Sequence, residues 1–236
     1  MSATPSTPAA LVTGAGSGIG LEVARQLAAL GWNLALAGRS ATKLQDAART
    51  AAPRALVVPT DLTQPQQAAA AVDATSAAFG RVDAVVNCAG VARLAPLSES
   101  TLELWQEALA TNTIAPGVII TRAWPHFVRQ RGGCIVNISS MATADPFPGL
   151  GVYAASKCGM DSLVRSAHTE GAPHHIRAFC VNPGAVETPM LRALFSEDAL
   201  PRTATLDPAD VARVVVDCIQ GRRETDRGTP IYLSRT

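Results

Sequence analysis

Tyr153 and Lys157 stand four positions apart in "VYAASKCGM", residues 152–160, among small residues suited to a closely packed helix. At that spacing a phenol and an ammonium share one helix face, one above the other. A phenol with an unperturbed pKa of about 10 is a poor acid or base at neutral pH, and a neighbouring cation lowers it. The pair therefore has the makings of a proton carrier. Read alone, it is more simply a packed Tyr beside a solvated Lys, so the rest of the chain has to decide.

A second candidate is "TGAGSGIG", residues 13–20. Glycines at such a place let the backbone turn tightly and bring amide N–H groups and a helix N-terminus up to a pyrophosphate. The spacing G-x-G-x-x-G fails, because Ile19 stands where its third glycine belongs; Gly14, Gly18 and Gly20 fit T-G-x-x-x-G-I-G instead. The bland reading is a tight connection. Asp61, and Asn87 in "NCAG", end two further β-type runs, where ligands of open α/β sheets bind. Each also has a structural reading, Asp61 as a helix cap and Asn87 as a hydrogen-bonder closing the sheet end. Cys88 reads as packing.

The elements that must position these residues follow from periodicity. Short β-type runs at 10–14, 33–38, 55–60, 83–90, 134–140 and 176–184 alternate with helical patterns at 18–30, 41–51, 65–79, 101–130 and 152–170. A further helix opens at "DPAD", 207–210, where Asp207 caps, Pro208 takes the first helical position and Asp210 suits the dipole; Gly221 closes it, and a strand follows at 230–234. The alternation predicts an α/β fold: one Rossmann-type domain over 9–236, with a doubly wound, mostly parallel, seven-stranded sheet and helices on both faces. Residues 1–8 read as a disordered tail.

Composition narrows the partners. A chain of 236 residues suits one core, and 20 basic against 19 acidic residues leave no electrostatic footprint for nucleic acid or an acidic membrane surface. The five cysteines are scattered, odd in number and without a C-x-x-C pair, which reads as reduced thiols in a reducing compartment. No apolar run reaches transmembrane length, and the start lacks the basic and apolar regions of a signal peptide, so a cytoplasmic protein is expected.

With "TGAGSGIG", "NCAG", "IVNISS", "YAASK" and "NPGAVETPM" in that order, the sequence resembles the short-chain dehydrogenase/reductase family over nearly its whole length. The resemblance implies an oxidoreductase that interconverts a carbonyl and a secondary alcohol by hydride transfer with a nicotinamide cofactor, without a metal. It assigns Tyr153 as acid/base. Lys157 would lower the tyrosine pKa and bind the nicotinamide ribose, and Ser140 would hydrogen-bond the substrate oxygen, with Ser139 its structural neighbour. Asn112, in "ATNTIAPG", would open the long helix locally and hold a relay water. The implied cofactor contacts are Gly14, Ser17, Gly18, Ile19 and Gly20 on the first loop, then Asp61, Leu62, Asn87, Ala89 and Gly90. Pro183, Gly184, Val186 and Thr188 would meet the nicotinamide side. Relatives pair through the long helices, here 101–130 and 152–170, which implies a homodimer or homotetramer.

The chain departs from the family pattern in reading "NCAG" for "NNAG" and in lacking a glycine-rich C-terminal finish. The alternative from another class is a catalytically silent nucleotide-binding sensor or scaffold of the same fold. The intact set of Asn112, Ser140, Tyr153 and Lys157 argues against it, because a non-enzyme has no physical need for all four.

Two specificity readings follow. The second strand ends "LALAGRS", with Gly38 where an NAD-preferring relative carries an acid; Arg39 offers a planar fork and Ser40 a hydroxyl for a 2′-phosphate, so NADP(H) is expected over NAD(H), whose use stays open. Residues 189–206 read as a mobile substrate lid. Met190, Leu191, Leu194 and Phe195 form its apolar face while Arg192, Glu197 and Asp198 face water. With Leu94, Phe147 and Leu150, that face would select small or medium neutral substrates; otherwise it packs on the core.

Overall fold

Alternate residues of a strand face opposite sides of a sheet, so a strand covered by helices on both sides must be apolar throughout. The computed structural model, which describes residues 7–235, shows this in β1 (Ala9–Thr13), whose five residues are all buried. Its parallel neighbours are β2 (Asn33–Gly38) and β4 (Ala84–Asn87). β3 (Leu56–Pro59), β5 (Gly133–Ile138), β6 (Ile176–Pro183) and β7 (Pro230–Leu233) complete a sheet of order β3-β2-β1-β4-β5-β6-β7. Every pairing among these strands is parallel.

The period of two sorts the core. Val12, Val86, Val136 and Val181 pack with α1 (Gly18–Ala29), α2 (Ala41–Ala51) and α8 (Pro208–Ile219). Leu11, Val85, Ile135 and Ala178 pack on the other face with α3 (Pro65–Phe79), α5 (Ala115–Gln130) and α6 (Gly151–Gly171). Fully burying one such Val or Leu side chain contributes about 1.5–3 kcal/mol. Because β1 lies between β2 and β4, the chain leaves neighbouring strands toward opposite faces, and a crevice opens at their carboxyl ends.

Asp207 caps α8 through the Ala209 N–H at 2.7 Å, and Gly221 follows with φ 75°. The helix expected over 101–130 is divided: α4 (Leu102–Leu109) passes through a wide π-type turn, Ala110–Ile114, into α5. The expected strand at 83–90 ends at Asn87, because Cys88, Ala89 and Gly90 turn into the crevice. Of the expected tail, residues 1–6 lie outside the described residues; the Pro8 carbonyl already accepts from the Asn33 N–H at 2.9 Å. No described helix is long and apolar enough to cross a membrane.

The end of α5 is fitted to β5 by size. Phe127 is completely buried, and a Cβ on Gly133 would overlap its ring. Gly133→Ala should therefore displace the ring and cost about 1–3 kcal/mol. A urea midpoint equal to that of the unchanged protein would contradict this packing.

Candidate active site

The first loop is shaped by two glycines. Gly14 has φ 67°, and a Cβ there would sit 2.9 Å from the Ala89 backbone; Gly18 has φ 54°, and a Cβ would sit 2.9 Å from Thr188 Cγ2. The β1 loop is thus held between the β4 and β6 loops, in a conformation that L side chains resist. Ser17 precedes α1 in an extended conformation and makes no side-chain cap bond, which leaves its hydroxyl and the first N–H groups of α1 for an anion. These groups fit a dinucleotide pyrophosphate. The loop borders a cleft of about 610 Å³, within the range of ligand pockets.

At one end of the cleft Gly38 has ordinary backbone geometry, and a Cβ would meet only Leu44 Cδ2 at 3.5 Å. Glycine is therefore not demanded there by the fold. Arg39, Ser40 and Lys43 line the same end. Ser40 Oγ caps α2 by accepting from the Lys43 N–H at 3.3 Å, and its proton remains free to donate. Arg39 forms no hydrogen bond or ion pair with another described residue within contact distance, although its charge reaches Asp61. Asp61 and Leu62 line the cleft as well. The Asp61 carboxylate accepts from the Thr63 N–H at 3.0 Å and from its hydroxyl at 2.8 Å, which holds it below the usual carboxylate range. Asp61 thus ties its own turn together, but it does not cap α3, whose N-cap is Gln64.

At the other end β5 delivers Ser140, whose Oγ accepts from the Ala142 N–H at 3.1 Å and stands near enough to the Tyr153 phenol to lower it. Tyr153 and Lys157 both rise from α6 into the cleft. The Lys157 ammonium lies 5.7 Å from the Tyr153 ring centre and donates to the Ile138 carbonyl at 2.7 Å. Burial raises the Tyr153 phenol, and the opposing influence is the Ser140 hydrogen bond. Lys157, expected to lower the phenol, stands over its ring and is held there by its bond to the Ile138 carbonyl. Burial lowers Lys157 itself to about 8, against nearby Cys180, Cys88 and Asp161. Cys88 is pushed by burial up to about 12, so it is an inert thiol.

Asn112 lies in the π-type turn and does not line the cleft. Its Oδ1 accepts from the Val91 N–H and its Nδ2 donates to the Val91 carbonyl, each at 2.9 Å. A second Nδ2 bond, also 2.9 Å, reaches Ser156, whose hydroxyl donates to the Tyr153 carbonyl at 2.7 Å. A Cβ on Gly90 would lie 3.3 Å from both Asn112 Oδ1 and Lys157 Nζ, so these two groups converge beside Gly90.

Ile19, Gly20, Ala89 and Gly90 line the cleft with the glycines of the first loop, and Pro183, Gly184, Val186 and Thr188 face them from the β6 loop. Phe147, Leu150, Met190 and Leu194 form the apolar end, where Phe147 and Phe195 meet edge to face at 5.4 Å. Two expected contacts stand apart from the cleft wall. Asn87 is buried behind it and donates to Asn137 Oδ1 at 2.8 Å; Leu94 is 44% exposed and packs near Gly149. Sequence reading passed over Lys43, Ser156 and Asp161. The signal for Lys43 was composition, since the chain has two lysines, Lys43 and Lys157, and both line the cleft. Asp161 repeats the four-residue step from Lys157 along α6.

The segment over the cleft is anchored by ions. α7 (Pro189–Leu194) starts from a Thr188 cap, and Arg192, expected to face water, instead folds back on Glu187 with Nε 2.8 Å from Oε1. Arg192 also donates to the Leu200 carbonyl at 2.8 Å, while Arg202 bonds Glu197 at 2.7 Å. The guanidinium beside it lowers Glu187 to about 2.

Comparison with known proteins places this geometry among relatives. Residues 8–199 match the family model described as short chain dehydrogenase. A protein of Streptomyces violaceoruber, named for ketoacyl reductase 2 of the granaticin polyketide synthase, is 35% identical, covering 94% of this chain and 93% of the relative. A Bacillus subtilis oxidoreductase is 31% identical over 84% of this chain and 78% of its own. Among solved structures, 3-ketoacyl-(acyl-carrier-protein) reductase of Brucella melitensis in complex with NADH superposes with a TM-score of 0.90 at 27% identity, covering 98% of each chain. Levodione reductase gives 0.89 at 25% identity over 97% of each chain.

The Glu187 cluster sets an expectation for the cleft cover. A carboxylate depressed in the folded state keeps its pairing above its unfolded pKa and loses it as pH falls through about 2. Glu187→Gln should speed trypsin cleavage after Arg192 several-fold at neutral pH, with the unfolding midpoint nearly unchanged. Equal cleavage of both proteins would show that the ions do not hold the segment.

Proposed function

The chain belongs to the short chain dehydrogenase family, oxidoreductases acting on CH–OH groups, and we propose that it is an NADP(H)-dependent enzyme interconverting a small or medium neutral carbonyl and its secondary alcohol. The observation that carries this reading is the meeting of Ser140, Tyr153 and Lys157 at the apolar end of a cleft whose other end is a glycine loop and a helix N-terminus. When bound, the nicotinamide supplies or accepts the hydride. Tyr153 Oη gives its proton to the carbonyl oxygen in reduction and takes the hydroxyl proton in oxidation. Ser140 Oγ–H, beside that phenol, donates to the substrate oxygen and holds it next to Tyr153. Lys157 keeps a positive charge near the developing phenolate and would hold the nicotinamide ribose when the cofactor is bound. The Phe147–Phe195 pair with Leu150, Met190 and Leu194 suits an uncharged apolar substrate.

The preference for NADP(H) rests on this chain's own residues, since the Brucella melitensis relative was solved with NADH. Gly38 leaves room where a carboxylate would repel a 2′-phosphate, and Arg39, Ser40 and Lys43 gather two cations and a hydroxyl around that room. The unpaired cysteines suit a cytoplasmic enzyme. Leu102 and Ile114, exposed on the α4–α5 side, suit pairing into a homodimer or homotetramer. Residues 9–236 act as one domain, with 189–206 as substrate cover.

Two measurements test the reading. Tyr153→Phe should lose about 100- to 10,000-fold in turnover while still binding reduced cofactor; half of the original activity in that variant would sink the assignment. Gly38→Asp with Arg39→Leu should lower kcat/KM for NADP(H) by about ten- to a hundredfold, the scale of charge-assisted hydrogen bonds, and improve relative use of NAD(H). An unaltered protein that prefers NAD(H) would show the phosphate site to be misread.

A further inference from the structure

Asp161 lies one turn beyond Lys157 on α6, 6% exposed, and no step of the proposed reaction uses it. Its oxygens each accept from Asn182 Nδ2 at 3.2 Å, and Oδ1 also accepts from Cys180 Sγ at 3.0 Å. In every one of these contacts it accepts, which is the pattern of an ionised carboxylate. Such a charge is costly to bury, and an apolar side chain of similar volume would fill the same space without that cost. Packing alone therefore does not explain an acid at this position.

The partners of Asp161 lead to the reacting groups. Asn182 Nδ2 also lies 3.3 Å from the Ser140 carbonyl and 3.2 Å from Thr143 Oγ1, and Thr143 donates to the same carbonyl at 3.0 Å. Asn182 thus joins Asp161 to both ends of the short turn through which Ser140 reaches the cleft. On the other side stands Lys157, 3% exposed. Its ammonium bonds the Ile138 carbonyl from β5 and meets Met160 and the Tyr153 ring on α6, while Cys180 from β6, Cys88 beyond β4 and, more weakly, Asp161 one turn along α6 act on it through space. Asn112 approaches from the π-type turn. Burial holds both cysteines as neutral thiols, so Asp161 is the carboxylate of this set.

We propose that Asp161 is a positioning residue of the reaction: through Asn182 it fixes the turn that presents Ser140, and as a buried negative charge it keeps Lys157 an ammonium. The proposal rests on the oxidoreductase reading above. It gives the acid at 161 a reason to be charged, and it explains why its hydrogen bonds lead to the Ser140 turn while it stands one helical turn from Lys157.

The test uses the full chain, labelled with lysine carrying ¹³C at the ε position. With two lysines in the sequence, two resonances are expected, and Lys43→Arg assigns them. Asp161→Asn keeps the shape and an acceptor for Asn182 but removes the charge. Its Lys157 midpoint should fall by about one pH unit, the usual scale for a nearby charge, and the basic limb of kcat/KM should move down with it. kcat should fall more than about tenfold, with substrate KM within about twofold and the unfolding midpoint little changed. Asn182→Ala, which cuts the link to the Ser140 turn and leaves the charge, should lower kcat without moving the Lys157 midpoint. An unmoved Lys157 midpoint in Asp161→Asn, in a protein that turns over, overturns the role of Asp161 alone. A protein that turns over no carbonyl or alcohol with either cofactor overturns the oxidoreductase reading and the positioning role with it, whatever the titration shows. Should Asp161→Asn fail to fold, Asn182→Ala decides: original kcat in that variant overturns the proposal.

Discussion

An ammonium buried at the edge of an apolar sheet must be given hydrogen bonds and a favourable field, or it sheds its proton. Lys157 is in that position, and much of the surrounding structure follows from it. β5 ends so that the Ile138 carbonyl faces its Nζ; Ser139 bonds the Lys157 carbonyl at 3.3 Å; and residue 90 has no side chain to intrude between Nζ and Asn112. The burial that threatens the charge is also what makes it strong, since a cation at low exposure acts on its neighbours with little screening.

The parallel sheet makes this meeting of distant residues inexpensive. All seven strands point the same way, so their carboxyl ends fall along one edge, and residues from positions 14 to 200 reach a single cleft through short loops. The rigid part is the double core of alternating strand residues; the chemistry sits where those strands stop. The π-type turn at Ala110–Ile114 is the local departure from regular structure that serves the site, because it lets Asn112 face Val91 and Ser156 rather than follow the helix surface.

The two ends of the cleft rely on different physics. The nucleotide end presents backbone N–H groups, two cations and a hydroxyl, groups whose pull on an anion comes from charge and direction. The opposite end uses Phe147, Leu150, Leu194 and Phe195, which act by excluding water. Between them the 189–206 segment combines both: an apolar inner side and an ionic anchor in which Glu187, Arg192, Arg202 and Glu197 share charge.

Local signals in the chain were sufficient for the strands, most helices, the glycine loop and the Tyr153–Lys157 pair, because period, caps and turn residues act over a few neighbours. The missing acid at 38 was likewise readable, being a matter of one residue type at a strand end. What the sequence left open depended on atoms far apart in the chain. The bond of Lys157 to Ile138, the turn of Arg192 to Glu187 rather than to water, and the pairing of Asn87 with Asn137 behind the cleft depend on which surfaces the fold brings together. Asp161 is the plainest case. In sequence it is an acid on a helix, and it gains its meaning when β6 sets Asn182 and Cys180 against it, because burial and long-range hydrogen bonding exist only once the sheet has formed.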